Sequence, residues 1–415
     1  MTTLPDRLAD HLDGLARAAR AELTGHILPY WSGRMVDAEH GGFRGRIDGT
    51  DRVVPGAPKG AVLNARMLWT FAVAAREPGP AGDACRALAD RAYGYLHAYF
   101  RDETHGGVYW TLTAEGHPLR TKKQVYAQAF AVYALAEYAA LTGLAEPLAW
   151  AQSLVALLEQ HAADPVYDGY VEAFAADWGP LADVRLSDKD ADAPKSMNTH
   201  LHVMEAYAAL YRIAPDAALG ARVRALVELF LDRIVAPDGQ SLTGFFAIDW
   251  TPLSDTVSFG HDIEAAWLLD EAAEILSDDA LTARVRRVTV PLARAVLTHG
   301  VDADGGLFNE ATPAGLSDTD KHWWPQAEAV VGFLNAYRQT DDPVFAHAAL
   351  KTWAFIERAV IDPAGGEWFF RVARDGAPYR DEDKAGPWKC PYHTARACVE
   401  ISHRVAALQT AATPA

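Results

Sequence analysis

A glycine turn recurs six times along this chain of 415 residues, at Gly41, Gly106, Gly169, Gly239, Gly305 and Gly365. The intervals, by subtraction, are 65, 63, 70, 66 and 60 residues. A near-constant period of this length means one supersecondary unit copied along the molecule. One Asp-Gly or Gly-Gly pair is a generic turn former; six in register are a fold signal. Each turn leads into a short aromatic or β-branched stretch, such as Val108-Tyr109-Trp110 or Phe245-Phe246, that reads as a strand or hairpin.

A helix follows each hairpin. The six candidates are 62–76, 124–141, 197–213, 261–276, 322–338 and 392–407, with Ala, Leu, Val and aromatic residues on most faces. Helices apolar nearly all round are buried. Between them lie more amphipathic segments near 82–100, 144–161, 215–234, 278–298 and 342–360, and an N-terminal helix over about 5–31 supplies the sixth. Six inner and six outer helices make an all-α (α/α)6 barrel with short β-hairpins in its loops, here expected as one catalytic domain over residues 1–415. The alternative is an open solenoid, which needs polar caps at both ends; the last helix here is still rich in Cys and Val.

Composition limits the function. The formal net charge is −17 with the acids scattered, which disfavours nucleic acid, whose phosphates reward clustered Lys and Arg. No apolar run reaches the roughly 20 residues that cross a bilayer. Cys85, Cys390 and Cys398 follow no pattern, which suggests a reducing compartment, the cytoplasm. There is no dinucleotide fingerprint, no zinc-like Cys/His spacing and no nucleophile elbow. No cofactor and no metal are expected; the partner is a small molecule, and the protein is a monomer or homodimer.

The unusual residues cluster where the inner helices begin. The sets are Asn64/Arg66, Tyr126/Gln128, Asn198/His202, His261/Glu264/Trp267, Trp324/Glu328 and His393/Arg396. In a ring of parallel helices these termini converge on one mouth. His261, Glu264 and Trp267 share a helix face, so Glu264 could accept a hydrogen bond from His261; a capping carboxylate beside a core histidine is the alternative. Glu205, three residues beyond His202, could orient it, whereas His200 points elsewhere. Trp388 precedes the last helix and would lie on the rim, suited to stacking on a sugar or to packing. Of Trp323 and Trp324 only one can face inward. Arg66 could hold an oxyanion or pair with Glu328 or Glu264. Histidines suit moving a proton on and off a carbon next to a carbonyl near neutral pH, and C2 of an open-chain reducing sugar is such a carbon.

The motifs GAVLNARMLWTFA, TKKQVYAQAFAVYALAEY, KSMNTHLHVMEAYAALYR, LSDKDAD, SFGHDIEAAWLL, DKHWWPQAEAVVGFLNAYR and WKCPYHTARACVE closely resemble those of the cellobiose 2-epimerases, within the N-acylglucosamine 2-epimerase superfamily. The resemblance implies the (α/α)6 barrel and cofactor-free interconversion of glucose-type and mannose-type reducing ends. It implies His261 and His393 as the acid/base pair at C2, His202 in ring opening, and Glu264 and Glu328 orienting or sharing protons. It implies Arg66 and Asn198 on the C1 and C2 oxygens, Tyr126 on another hydroxyl, Trp324 with Trp267 about the reducing-end sugar, and Trp388 on the second sugar. Thr394 stands where the family often has Asn, and an aromatic platform near Phe308 is a further expectation. The competing expectations are an epimerase of free mannose and glucose, a mannose isomerase, an inverting glycosidase and a peptide-binding scaffold.

Overall fold

The computed structural model describes residues 6–79 and 81–412. The inner helices are α3 (Ala61–Arg76), α5 (Val125–Thr142), α7 (Met197–Ile213), α9 (Phe259–Ile275), α11 (Trp323–Thr340) and α13 (Tyr392–Ala412). The outer set is α1 (Asp6–Glu22) with its continuation α2 (Leu28–Arg34), then α4 (Gly82–Tyr95), α6 (Ala145–His161), α8 (Ala217–Leu229), α10 (Asp279–Ala295) and α12 (Pro343–Phe355). Pro5, the expected first residue of the N-terminal helix, lies outside the described residues. Each inner helix packs on the next, and α13 packs back on α3, while α1 lies against α13 and α12. The ring is closed, which excludes the open solenoid and makes the (α/α)6 barrel.

Five of the outer helical segments, expected near 5–31, 82–100, 215–234, 278–298 and 342–360, are not α-helical throughout. Instead they widen into a single π-helical turn, at Leu23–Ile27, Leu96–Phe100, Phe230–Ile234, Val296–Gly300 and Ile356–Val360. The first of these carries the chain from α1 into α2. The other four lead into a β-bridge that closes a glycine hairpin, such as Arg101↔Val108 or Val235↔Leu242. At Gly169 the turn needs glycine twice over. Its φ is +75°, and a Cβ there would lie 2.5 Å from His200 Nε2.

Two devices tie the hairpins to the ring, the first in five of the six units and the second in four. A buried lysine just ahead of the inner helix reaches the aspartate that opens the turn: Lys59 to Asp37 at 2.8 Å, Lys123 to Asp102 at 2.6 Å and Lys195 to Asp164 at 2.7 Å. Lys321 to Asp302 at 3.0 Å and Lys384 to Asp362 at 2.9 Å repeat the contact. In the fourth unit both partners are gone together, replaced by Val257 and Ala236; losing one alone would strand a buried charge. The second device is a polar side chain at the fourth position of the helix that satisfies the hairpin backbone. Gln128 accepts from Val108 N–H at 2.8 Å and Gln326 from Leu307 N–H at 2.7 Å. Asp262 accepts from Leu242 N–H at 2.9 Å. His200 Nε2 accepts from Tyr170 N–H at 2.8 Å, so this histidine is a structural member of the repeat.

The lead-in strands join consecutive units in antiparallel pairs, Lys59↔Leu112, Lys123↔Phe174, Lys195↔Phe246, Val257↔Ala311 and Lys321↔Val372. The bridge Ile47↔Ala385 completes the girdle. It encircles the end of the ring at which the six inner helices start.

Candidate active site

With the fourth helix position turned to the hairpin, the second and sixth positions, four residues apart, share a different face. In α5, α7, α11 and α13 the second position carries Tyr126, Asn198, Trp324 and His393. In α3, α7, α9 and α11 the sixth carries Arg66, His202, Glu264 and Glu328. The second position of α9 is Gly260, where a Cβ would fall 2.5 Å from the Trp324 ring. His261, one residue on, takes the vacated direction.

These residues enclose a cavity of about 410 Å³ whose wall includes Arg66, Tyr126, Asn198, His202, His261, Glu264, Trp324 and His393, with Trp388 at the rim. Trp267 and Glu328 stand one layer behind. Trp267 is buried and donates its indole N–H to Glu328 Oε2 at 3.0 Å, so it braces a carboxylate and does not form part of the cavity wall. Trp323 is buried against Phe370, while Trp324 packs on both His261 and His393, with ring centroids 4.7 and 5.6 Å away.

The three cavity histidines differ in what holds them. His202 Nδ1 meets Glu205 Oε2 at 2.8 Å, as its spacing predicts. His393 Nδ1 meets Glu328 Oε1 at 2.7 Å and lies 3.9 Å from Glu264. His261 departs from expectation: its Nδ1 meets Ser258 Oγ at 2.8 Å, not Glu264. Glu264 is drawn away by Arg396, which lies buried and binds Glu205, Glu264 and Glu328 together. A guanidinium with several donors outcompetes one neutral imidazole for a buried carboxylate.

Arg66 likewise pairs with neither glutamate. It donates to Tyr126 Oη at 2.8 Å and lies over the Phe130 ring at 4.1 Å, which leaves its charge uncompensated beside the cavity. Asn198 Oδ1 has no hydrogen-bond partner within the protein. Gln128 and Asn64 serve backbone groups instead, the latter donating to Gly60 O at 2.8 Å. Thr394 Oγ1 donates to Pro391 O at 3.1 Å inside its own helix turn and stays off the cavity wall. Phe308 is buried beneath Lys321 and Arg374; the rim aromatic on that side is Phe370, with Leu186 to Asp190 facing it.

Burial sets the protonation states. It lowers all three histidines, His261 to about 3 with His202 nearby adding to the effect, and His393 well below its ordinary value with Arg66 and Arg396 adding to it. Burial also raises Glu264, with Glu328 beside it, and raises Glu328 against the pull of Arg396. Burial alone would raise Glu205 too, but Arg396 and its bond with His202 take it down to about 2. Glu264, Glu328 and His393 offer ligand atoms within 4.8 Å of one another, the arrangement of a possible cation site. Arg396 already occupies that charge position and engages both carboxylates.

Arg396 was visible in the sequence only as a neighbour of His393, and Ser258 as a residue three before His261. Their roles depend on which residues the closed ring places opposite them.

Residues 41–397 match the profile of the family described as N-acylglucosamine 2-epimerase (GlcNAc 2-epimerase). A cellobiose 2-epimerase of Bacteroides fragilis is 46% identical over 388 residues, which are 93% of this chain and 98% of the relative. The solved structure of the cellobiose 2-epimerase from Bacillus thermoamylovorans superposes with a TM-score of 0.90 at 37% identity, covering 94% of this chain and 100% of that one. That of the Spirochaeta thermophila enzyme gives 0.89 at 40% identity, covering 98% and 100%. A match over this much of the chain shows that it belongs to the N-acylglucosamine 2-epimerase family.

Proposed function

We propose that this protein is a cofactor-independent sugar 2-epimerase that inverts C2 of the reducing-end unit of β-1,4-linked disaccharides of the cellobiose and lactose type, acting as one catalytic domain. The observation that carries the reading is a pair of uncharged imidazoles, His261 and His393, both against Trp324 in the wall of one cavity.

His202, whose Nδ1–H is held by Glu205, takes the C1 hydroxyl proton at Nε2 as the C1–O5 bond breaks and returns it to O5, which leaves a carbonyl at C1 and a hydroxyl at C5. One imidazole then removes the C2 proton, and the electron pair moves onto the carbonyl to give an enediolate. The cationic Arg66 and the Asn198 amide stabilise the oxygen that gains charge, and Tyr126 binds another hydroxyl. The proton returned to the opposite face comes from the second imidazole. On the His393 side it is drawn from the network with Glu328 and Glu264, where burial raises both carboxyls and takes Glu264 up to about 8, so that Glu264 holds a proton at neutral pH. Burial lowers both imidazoles, so the two sides differ in what stands behind them: Ser258 behind His261, and Glu328 with Glu264 behind His393.

Trp388 stacks on the second sugar. Trp388→Ala should raise KM for cellobiose about fivefold, the equivalent of about 1 kcal/mol of aromatic contact, and leave free glucose and mannose nearly unaffected; equal effects on both would move the second subsite elsewhere. Gly260→Ala should push Trp324 aside and reduce kcat/KM by about 10²-fold, the scale expected of a displacement near 1 Å; unchanged kinetics would remove Trp324 from the site.

An inverting glycosidase needs carboxyl groups about 6.5–9.5 Å apart. Glu264 and Glu328 are closer, within 4.8 Å, and share Arg396. The proposal includes a cytoplasmic location, supported by three unpaired cysteines, and a monomer or homodimer. No helix among the described residues is long and apolar enough to cross a membrane. NMR of the products from cellobiose, lactose, mannose and glucose in D2O tests the whole reading. Deuterium at C2 of a mannose-type disaccharide supports it, a ketose with deuterium at C1 makes the protein an isomerase, and cleaved sugar makes it a hydrolase.

A further inference from the structure

His261 has a second outlet. Behind the ring, Ser258 Oγ meets Nδ1 at 2.8 Å, and Ser258 borders a side cavity of about 130 Å³ that also reaches His261 and Asn198. That volume has room for several water molecules. Its other walls include Glu172, Ser196 and Glu310. Ser258 and Glu310 are directly opposed across an antiparallel strand pair, a position where both side chains project from the same face with Cβ atoms about 4.5–5.5 Å apart. Burial raises the Glu310 carboxyl, Asp318 adds to the rise, and Lys189 opposes it. None of the steps above uses Glu310.

An epimerisation between two bases ends with a proton on one imidazole and a proton missing from the other side. The enzyme must shed the first before it can treat the same epimer again. A sugar in the main cavity covers the Nε2 side of His261, but the Nδ1 side stays in contact with the side cavity.

We propose that Ser258 and Glu310 relay protons between His261 and the side cavity and so reset the enzyme between turnovers. This rests on the epimerase reading. When His261 is an imidazolium, its Nδ1–H bond breaks as a new O–H bond forms on Ser258. The original hydroxyl proton of Ser258 passes in the same step to a cavity water or to the Glu310 carboxylate. His261 becomes neutral, the acceptor gains one positive charge, and Ser258 again holds one proton. Both are positioning residues, since neither touches the sugar.

The test is the kinetics of Glu310→Gln, which leaves His261 and its serine in place. It should lower kcat for cellobiose by about tenfold, less than the about 10²–10⁴-fold of a group acting directly on substrate, because water at the main mouth still exchanges the His261 proton. It should leave kcat/KM within about twofold, and millimolar formate or imidazole should restore kcat. Ser258→Ala should share the kcat loss, and Ser258→Thr should recover it. The relay is overturned if kcat and kcat/KM fall by the same factor, if both stay at the unsubstituted values, or if small buffers rescue nothing. Failure of the underlying reading looks different: the unsubstituted protein itself would place no deuterium at C2 of cellobiose in D2O.

Discussion

Replacing His393 with alanine should lower kcat by about 10²–10⁴-fold, the range for a positioned proton-transfer group, with the fold intact. The fold survives because the partner left behind, Glu328, keeps Arg396 and the Trp267 indole N–H. His261→Ala should cost a similar factor, since its imidazole is the second proposed base and also packs on Trp324. The two losses should not multiply in the double variant, because neither base completes the reaction without the other. Kinetics with cellobiose checks this alongside circular dichroism and a melting curve. Near-wild-type turnover by either single variant would sink the two-base assignment. Deuterium exchange into unreacted substrate adds a finer check: a variant that keeps one base should still exchange C2 on one face while making no epimer.

Arg396→Met should be the most destabilising single change at the site, by about 3–5 kcal/mol, because removing one partner of a buried ionic cluster leaves the others uncompensated. Three carboxylates depend on this guanidinium. Glu205 depends on it most visibly, being taken down to about 2 although burial alone would raise it. Methionine fills a similar volume, so the loss reports charge and not a hole. Adding Glu264→Gln and Glu328→Gln to the methionine variant should recover part of the stability, as coupled neighbours do in a mutant cycle. Urea unfolding at pH 7 measures both. An Arg396→Met protein as stable as the parent would show that the three carboxyl groups do not depend on this guanidinium.

Much of the architecture was legible beforehand because a repeat is a local property copied many times. The period of the glycine turns and the two kinds of helix, apolar throughout or on one side, require no knowledge of distant contacts. The same holds for His202 and Glu205, three residues apart on one helix, which meet as their spacing predicts. His261 and Glu264 have the same spacing and do not meet. The difference lies in Arg396, 132 residues from Glu264 in the chain and brought against it only when the ring closes. Helical spacing says which side chains are able to touch; competition among all neighbours decides which do.

His200 teaches the converse. In the sequence it is one of an HLH pair, but in the barrel it occupies the position of Gln128 and Gln326 and accepts from a hairpin N–H as they do. Its class follows from the repeat once the helices are aligned by their first residues, so the signal was present but needed exact helix starts. Trp267 needed more. Its face was predicted, yet the layer at which its indole ends, behind Glu328 and off the cavity wall, depends on how closely α9 and α11 approach.

By itself, then, the sequence determined the repeat of paired helices and the end of the ring at which the histidines gather, because turn chemistry, helical period and cap positions are local properties of the chain. Only the tertiary structure decided how those groups are wired: Arg396 at the centre of three glutamates, Ser258 behind His261, Glu328 behind His393, and Trp324 in the space that Gly260 leaves open. Those choices are made between helices far apart in the chain, where burial strips away water and each charged or polar group takes the best partner within reach.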